Sequence, residues 1–344
     1  VLFYDSGLDY LSIGFFMTTR IKVGIAGYGN LGRGVEHAIR QSPDMTLTGV
    51  YTRRDPADVQ VLDSGTPVRK LDEIAQYKDD IDVLILCGGS KNDLPVQGPA
   101  LAALFNIVDS FDTHARIPEY FQSVDEVAAA NGTTALISVG WDPGLFSLNR
   151  LFGEAILPQG RTYTFWGKGL SQGHSDAVRR VPGVKAAVQY TIPLQAAVDR
   201  VRSGTLPELS TREKHRRECF VVLQDGANAS QVEQAIVTMP DYFVDYDTTV
   251  SFVSEAELAR DHAAMPHGGF VIHSGQTGSG SKQVIEYGLA LESNPEFTSS
   301  VLVAYARAVF RLSQQGTRGA KTVFDVPPGL LSPKSAAQLR KELL

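Results

Sequence analysis

Cysteine is scarce: Cys87 and Cys219 are the only two in 344 residues, far apart and in no CxxC pair. That excludes a disulfide framework and a cysteine-built zinc site, and it fits a reducing, cytosolic setting. There is no HExxH and no close His/Asp/Glu cluster, so no metal is expected. There is no GxSxG, which speaks against a hydrolase nucleophile elbow. No stretch approaches 18 uninterrupted apolar residues, so neither a membrane span nor a membrane partner is expected. No long basic run occurs and the net charge is −6, which disfavours nucleic acid as a partner. Internal repeats and low-complexity segments are missing too. Residues 1–16 carry aspartates but no Lys or Arg and no small-residue cleavage site, so they do not read as a signal peptide. They read as an extension, either an upstream alternative start or a disordered leader, with an ordered extra strand as the alternative. MTTRIKVGIAGYG, from Met17, reads as a natural domain start.

What is present is core material: 43% of residues are hydrophobic, ample for a chain whose length suggests two domains. From Ile21 to about Asp142, short apolar strands alternate with helical segments. The strands are IKVGIAG, MTLTGVY, IDVLILC, NIVDSF and TTALISVG. The helical segments run over Leu31–Gln41, Leu71–Gln76, Pro95–Phe105 and Pro118–Ala130. This alternation implies α/β architecture with a doubly wound parallel sheet of Rossmann type. The second half is richer in glycine and polar residues. RRECFVVL and TTVSFV read as strands, which predicts a second, α+β mixed-sheet domain with one solvent-facing surface. NPEFTSSVLVAYARAVFRLSQQG reads as a helix opened by Asn-Pro and closed by Gly316.

GYGNLG places Gly27, Gly29 and Gly32 in GxGxxG spacing between the first strand and first helix, the context that motif requires. Gly27 permits the turn, Gly29 leaves room for a pyrophosphate, and Gly32 lets helix and strand approach. The backbone of Tyr28, Asn30 and Leu31 completes the loop. The uncapped helix start then offers N–H groups to phosphate. An acidic residue about 20 positions further on would select NAD. Here the second strand ends in Thr52-Arg53-Arg54. Two guanidiniums and a hydroxyl suit a 2′-phosphate, so NADP(H) is the expected cofactor. The alternative is that both arginines are solvated loop charges. Cys87-Gly88-Gly89-Ser90 ends the buried third apolar strand, where the chain passes close to a cofactor.

Asp112 and Asp142 each follow a predicted strand and should project from the carboxyl edge of the sheet, where together they would attract an ammonium. Each could instead be a turn-capping aspartate. Trp141 offers an apolar wall or is simply core. Trp166, Ser171, Gln172 and Gly173 form a polar, glycine-containing loop before a helix, suited to a carboxylate. Arg217 could clamp a carboxylate through two bonds; the plainer reading makes Lys214, Arg216 and Arg217 a solvated edge. His267, between a proline and two glycines, is either structural or functional.

Together GYGNLGR, TRR, CGGS, DSFD, SVGWDPG, FWGKGLSQGHSDAVRRVPGV, HRRECFV, MPDYFV, MPHGG and NPEFTSS resemble the meso-diaminopimelate D-dehydrogenase family, over Met17 to about Pro333. Val139 and Gly89 stand where Thr and Met are expected. The resemblance implies NADP-dependent oxidation of the D-centre of meso-2,6-diaminopimelate to L-2-amino-6-oxopimelate and ammonia, in lysine and peptidoglycan precursor metabolism. It implies a cytoplasmic homodimer. It divides the chain into the 1–16 extension, a dinucleotide-binding domain over 17–145, a dimerisation and substrate region over 146–293, and a C-terminal segment over 294–344 returning to the nucleotide domain. It gives Asp112 and Asp142 the D-centre amino group and the catalytic role. Trp141, Ser171, Gln172 and Gly173 would surround that end, with Trp166 walling the cavity. Thr191, Arg217, His267 and Asn294 would hold the distal L-centre. Two other readings stay open. One is a related NADP oxidoreductase acting on an oxo acid, an aldehyde or a broader range of D-amino acids. The other is a non-catalytic NADP sensor, which would have no use for Asp112, Asp142 and Arg217 together.

Overall fold

Continuously apolar strands demand cover on both faces, and the computed structural model, which describes residues 20–344, supplies it. The reading of residues 1–16, and of a start at Met17, lies outside the described residues. In chain order the first region runs β1 (Ile21–Ala26), α1 (Asn30–Arg40), β2 (Met45–Thr52), β3 (Val68–Lys70), β4 (Val83–Leu86), α2 (Leu94–Ala102), β5 (Ile107–Asp109), α3 (Ile117–Asn131) and β6 (Thr134–Leu136). These six strands form a parallel sheet in the order β6-β5-β4-β1-β2-β3. Alternate side chains leave by opposite faces. Val83 and Ile85 join a core with Val35 and Ile39 of α1, whereas Leu84 and Leu86 join another with Leu101 of α2 and Val124 of α3. The strand order reverses between β1 and β4, the switch point at which doubly wound sheets bind ligands.

One expected helix is not regular. Leu71–Asp80 is a 3₁₀ segment broken at Tyr77; it buries only Ile74, too little apolar surface to hold a regular helix.

The second region contains α4 (Leu145–Ile156), β7 (Gly160–Trp166), β8 (Gly169–Leu170), α5 (Gln172–Arg179), β9 (Val184–Pro193), α6 (Gln195–Arg202), α7 (Thr211–Lys214), β10 (His215–Leu223), α8 (Ala229–Val237), β11 (Asp247–Phe252), α9 (Glu255–Asp261), β12 (His267–Thr277) and β13 (Ser281–Leu291). The predicted mixed sheet is the four-stranded one, β11-β10-β9-β8, in which β10 runs antiparallel to β9 and parallel to β11. A second, antiparallel sheet, β13-β12-β7, stands beside it. Sequence reasoning missed that sheet because β12 opens on His267-Gly268-Gly269, which reads as a turn. In the structure these glycines lie where a Cβ would be 2.2 Å from Leu289 O and 2.1 Å from Phe165 O. Strand backbones meet there too closely for any side chain.

α10 (Asn294–Gln314) has Pro295 in its first turn and ends just before Gly316, whose φ is +84°. It returns to the parallel sheet and packs on α1. Ser299 Oγ donates to Leu31 O at 2.8 Å, and a Cβ on Gly34 would come within 2.4 Å of that hydroxyl oxygen. β14 (Gly319–Lys321) then pairs with β6 as a seventh parallel strand. Three residues without apolar alternation gave no sign of it in the sequence.

Candidate active site

The first site sits at the switch point. Gly27 leaves β1 with φ +93°, and a Cβ there would press on the Cys87 carbonyl at 3.3 Å. A Cβ on Gly32 would fall 2.4 Å from Gly27 O, so only glycine lets α1 start against the loop. Gly29 is different: nothing lies within 4 Å of the place its Cβ would take. That open point faces the N-terminus of α1, which has no side-chain cap and no acid in its first turn. Unpaired N–H groups and the positive dipole end are thus left available to an anion.

Gly27, Tyr28, Gly29, Thr52, Arg53, Arg54, Cys87 and Gly88 line one cleft, together with Leu71, Asp93 and Gln97. Asn30, Leu31 and Gly32 open α1 directly after this lining, and Gly89 and Ser90 follow Gly88; none of the five is itself in the lining. Arg54 reaches back to donate to the Tyr28 carbonyl, and its backbone N–H donates to Thr52 Oγ1 at 3.1 Å. Arg53 pairs with Asp93 at 2.8 Å. Asp93 also accepts from the Gly89 N–H at 2.9 Å. Sequence reasoning missed Asp93. The Arg53 end of this pair is largely in water, so exchanging Asp93 for another anion costs little. Burial, then the neighbouring Glu36, push the Tyr28 phenol up, and burial pushes the Cys87 thiol up. Both groups therefore stay protonated near neutral pH.

The second site is built from side chains. Asp142 follows β6; its side chain is 2% exposed and pairs with Arg150 of α4, Nη2 to Oδ1 at 2.6 Å. Trp166 Nε1 donates to Asp142 Oδ2 at 2.7 Å. Arg150 is held in turn by Ser147 and Thr164. Trp141 donates from Nε1 to Asn294 Oδ1 at 2.8 Å and lies 4.8 Å from the His267 ring, centroid to centroid. Trp166 stacks on His215 at 5.5 Å. His215 and Arg217 share one face of β10, two residues apart. Trp141, His267 and Asn294 thus form one contact group and Asp142, Trp166 and His215 another, adjoining at Trp141-Asp142, with Arg217 two residues along β10 from His215.

Arg217 is the unusual member. It is only 5% exposed, donates to Thr191 Oγ1, and lies over the Tyr246 ring at 3.9 Å. Among the described residues its Nε has no partner and no carboxylate pairs with it. The solvated-edge reading holds for its neighbour Arg216, which is exposed and pairs with Glu218 at 3.0 Å, but not for Arg217. A buried guanidinium without a counter-ion is strongly unfavourable unless an anion arrives. Its field reaches two histidines that the sequence did not single out. Burial and Arg217 lower His174 to about 4 and His215 to about 3, so both are neutral near pH 7. His267 is also lowered by burial, against the opposing pull of Gly268 and Asp142.

Ser171 caps α5 and bonds to His174 Nδ1 at 2.8 Å. Gln172 donates to Met265 Sδ at 3.3 Å, and a Cβ on Gly173 would meet open space. Asn30 of α1 approaches the same sulfur at 3.9 Å, so Met265 spans the two sites.

Asp112 stands apart from this network. It is exposed, its N–H donates to Ser90 Oγ at 3.1 Å beside the nucleotide cleft, and it has no ion pair among the described residues. What relates it to Asp142 is Asp109, another residue the sequence reading passed over. Asp109 is fully buried. Its Oδ1 accepts from the N–H groups of Phe111 (2.9 Å) and Ser138 (3.1 Å), and its Oδ2 from Tyr120 OH (2.6 Å). One carboxyl thereby ties the loop bearing Asp112 to the loop leading to Asp142. An acid closing an apolar strand was the available signal.

The strand order, the glycine cradle and the basic end of β2 define a Rossmann-type dinucleotide-binding protein. Its second region carries a cluster of buried charged and aromatic side chains. Comparison with known proteins narrows this. The family model for the diaminopimelic acid dehydrogenase C-terminal domain matches residues 140–293. The meso-diaminopimelate D-dehydrogenase of Ureibacillus thermosphaericus is 67% identical over 326 residues, covering 95% of this chain and 100% of that protein. The solved Corynebacterium glutamicum DAP dehydrogenase in complex with DAP superposes with TM-score 0.88 at 47% identity, over 95% of this chain and 100% of that one. An engineered D-amino acid dehydrogenase bound to NADP+ gives 0.84 at 45% identity, again over 95% and 100%. The chain belongs to the meso-diaminopimelate D-dehydrogenase family.

Proposed function

We propose that this chain catalyses the reversible NADP-dependent oxidative deamination of the D-centre of meso-2,6-diaminopimelate, with water, to L-2-amino-6-oxopimelate and ammonia. The observation that carries this reading is that one region buries both Arg217, which has no carboxylate partner among the described residues, and the acid Asp142, whose partner Trp166 stacks on His215 of the same strand as Arg217. Such a site suits a ligand with an anionic group at one end and a cationic group at the other.

NADP fits the first site: Gly29 leaves open space at an uncapped helix start, and Arg53 and Arg54 stand at the β2 end for the 2′-phosphate. Bound there, it supplies the hydride acceptor. The two carboxylates have unequal duties. Asp142 is committed to Arg150 and Trp166, so it orients. Asp112, without an ion pair, faces the ammonium and takes the proton that must leave before or with the hydride. Trp141 and Trp166 exclude water and limit the poses of the D-centre, with Ser171, Gln172 and Gly173 at the rim. Thr191, Arg217, His267 and Asn294 hold the L-centre, so that only one centre presents its C–H to the cofactor.

The protein acts as a cytoplasmic homodimer in this reading. The apolar side chains of Leu151, Phe152 and Ile156, exposed on α4, suit burial against a second copy, and the mass in solution tests it. The decisive experiment for the activity is cofactor reduction with meso-diaminopimelate and either NADP or NAD, with the LL isomer as control. Turnover of the meso isomer with NADP is expected. Silence toward both isomers despite NADP binding overturns the substrate. Faster turnover of simple D-amino acids replaces it with a broader D-amino-acid dehydrogenase.

A further inference from the structure

The four-stranded sheet puts three polar side chains in one row. Thr191 on β9 is in register with Arg217 on β10, and Arg217 with Thr248 on β11. Residues in register on neighbouring strands project from the same face, about 4.8 Å apart. One edge of the Arg217 guanidinium is used by Thr191 Oγ1. Its plane is set by the Tyr246 ring. The Nε of Arg217 and the hydroxyl of Thr248 are both buried, and neither has a hydrogen-bond partner among the described residues. Two orphan donors on register-paired residues, each unfavourable by about 1–3 kcal/mol when left unmade, are a pair that a single carboxylate could satisfy.

We propose that Thr248 is a further specificity-determining residue. It donates to the distal carboxylate of the substrate alongside Arg217 Nε, with Tyr246 as the platform that aims the guanidinium. This rests on the substrate reading above and adds to it the residue that completes the anion subsite. Neither Thr248 nor Tyr246 carries a sequence motif; only the strand register reveals them.

The test is Thr248→Val, which keeps the shape and removes the hydroxyl, with Thr248→Ser as the conservative variant. KM for meso-diaminopimelate should rise about tenfold in Thr248→Val, the usual loss for a hydrogen bond to a charged group. The kcat and the KM for NADP should stay within about twofold, and Thr248→Ser should stay near the parent. The substrate-free Thr248→Val protein should melt no lower than the parent, because the lost hydroxyl had no partner to lose. An unchanged KM overturns the proposal. So does a lower Tm with unchanged substrate binding, the signature of a structural hydroxyl. If Thr248→Val fails to fold, Thr248→Ala is read against the same KM criterion. A parent enzyme inactive on meso-diaminopimelate overturns the substrate reading itself. An active parent indistinguishable from Thr248→Val overturns only the role of Thr248.

Discussion

The nucleotide cleft and the charged cluster beyond it are built by opposite means. The cleft is backbone: Gly27, Gly29 and Gly32 shape a turn within six residues, and its one ion pair, Arg53 with Asp93, has its arginine largely in water. The cluster is side chain. Trp166, Arg217, His267 and Asn294 come from four separate elements and Asp142 from the loop after β6, and the charges of Asp142 and Arg217 are buried. A backbone site tolerates solvent and reads a phosphate wherever the chain turns. A side-chain site must bury charge before its ligand comes, and it is left electrostatically incomplete at Arg217.

The sharpest way to break this contrast is Arg217→Met. Losing this buried guanidinium should raise KM for meso-diaminopimelate about a hundredfold, with NADP affinity within about twofold. The substrate-free protein should be no less stable, since an unpaired buried charge has gone. Equal losses for substrate and cofactor would mean the two regions are not separable. Arg53→Ala with Arg54→Ala comes next. Preference for NADP over NAD should fall about tenfold or more, with substrate KM little changed. An unchanged preference would place recognition of the 2′-phosphate elsewhere.

How much could be read without coordinates follows the same division. The cleft was legible because its parts are local: strand, glycines and helix start adjoin, and Arg53 and Arg54 follow the next strand. The parallel sheet was legible because period and apolar runs report on it directly. The cluster was named through resemblance, and sequence alone could not choose between Arg217 as clamp and Arg217 as solvated edge. Burial decides that, and burial depends on Thr191, Tyr246 and Thr248, which lie on other strands or at their ends. Arg150 and Asp109 went unseen for the same reason. Each acts on a partner brought near by folding, Arg150 across a helix start and Asp109 across two strands. β14 was invisible because three residues carry no periodicity.

Two glycine variants sharpen the comparison inside the cleft. Gly32→Ala must push a methyl into Gly27 O, so it should lower stability by roughly 1–3 kcal/mol and weaken NADP with it. Gly29→Ala meets nothing among the described residues. It should leave the melting temperature alone and weaken NADP only. If both behave alike, the open space at Gly29 is not the phosphate position.

Asp109 gives the smallest expected effect on activity, and it tests the seam between the two regions. Burial pushes its carboxyl from an ordinary 3.8 up to about 6, although Tyr120, Phe111 and Ser138 pull it back. A raised carboxyl pKa in the fold means the native state keeps a proton that the unfolded chain has already released. Between about pH 4 and pH 6 the native state therefore binds more protons, and stability from this group falls as pH rises, until it is lost above about 6. Asp109→Asn keeps an acceptor for the two N–H groups and cannot ionise, so it lacks this step. Its melting temperature relative to the parent should climb from pH 4 to pH 6 and then level off, while kcat at neutral pH stays within about twofold. A difference that is flat across the window would show that the Asp109 carboxyl is ionised throughout. The seam joining the Asp112 and Asp142 loops would then be held by a charge rather than by a proton-bearing acid.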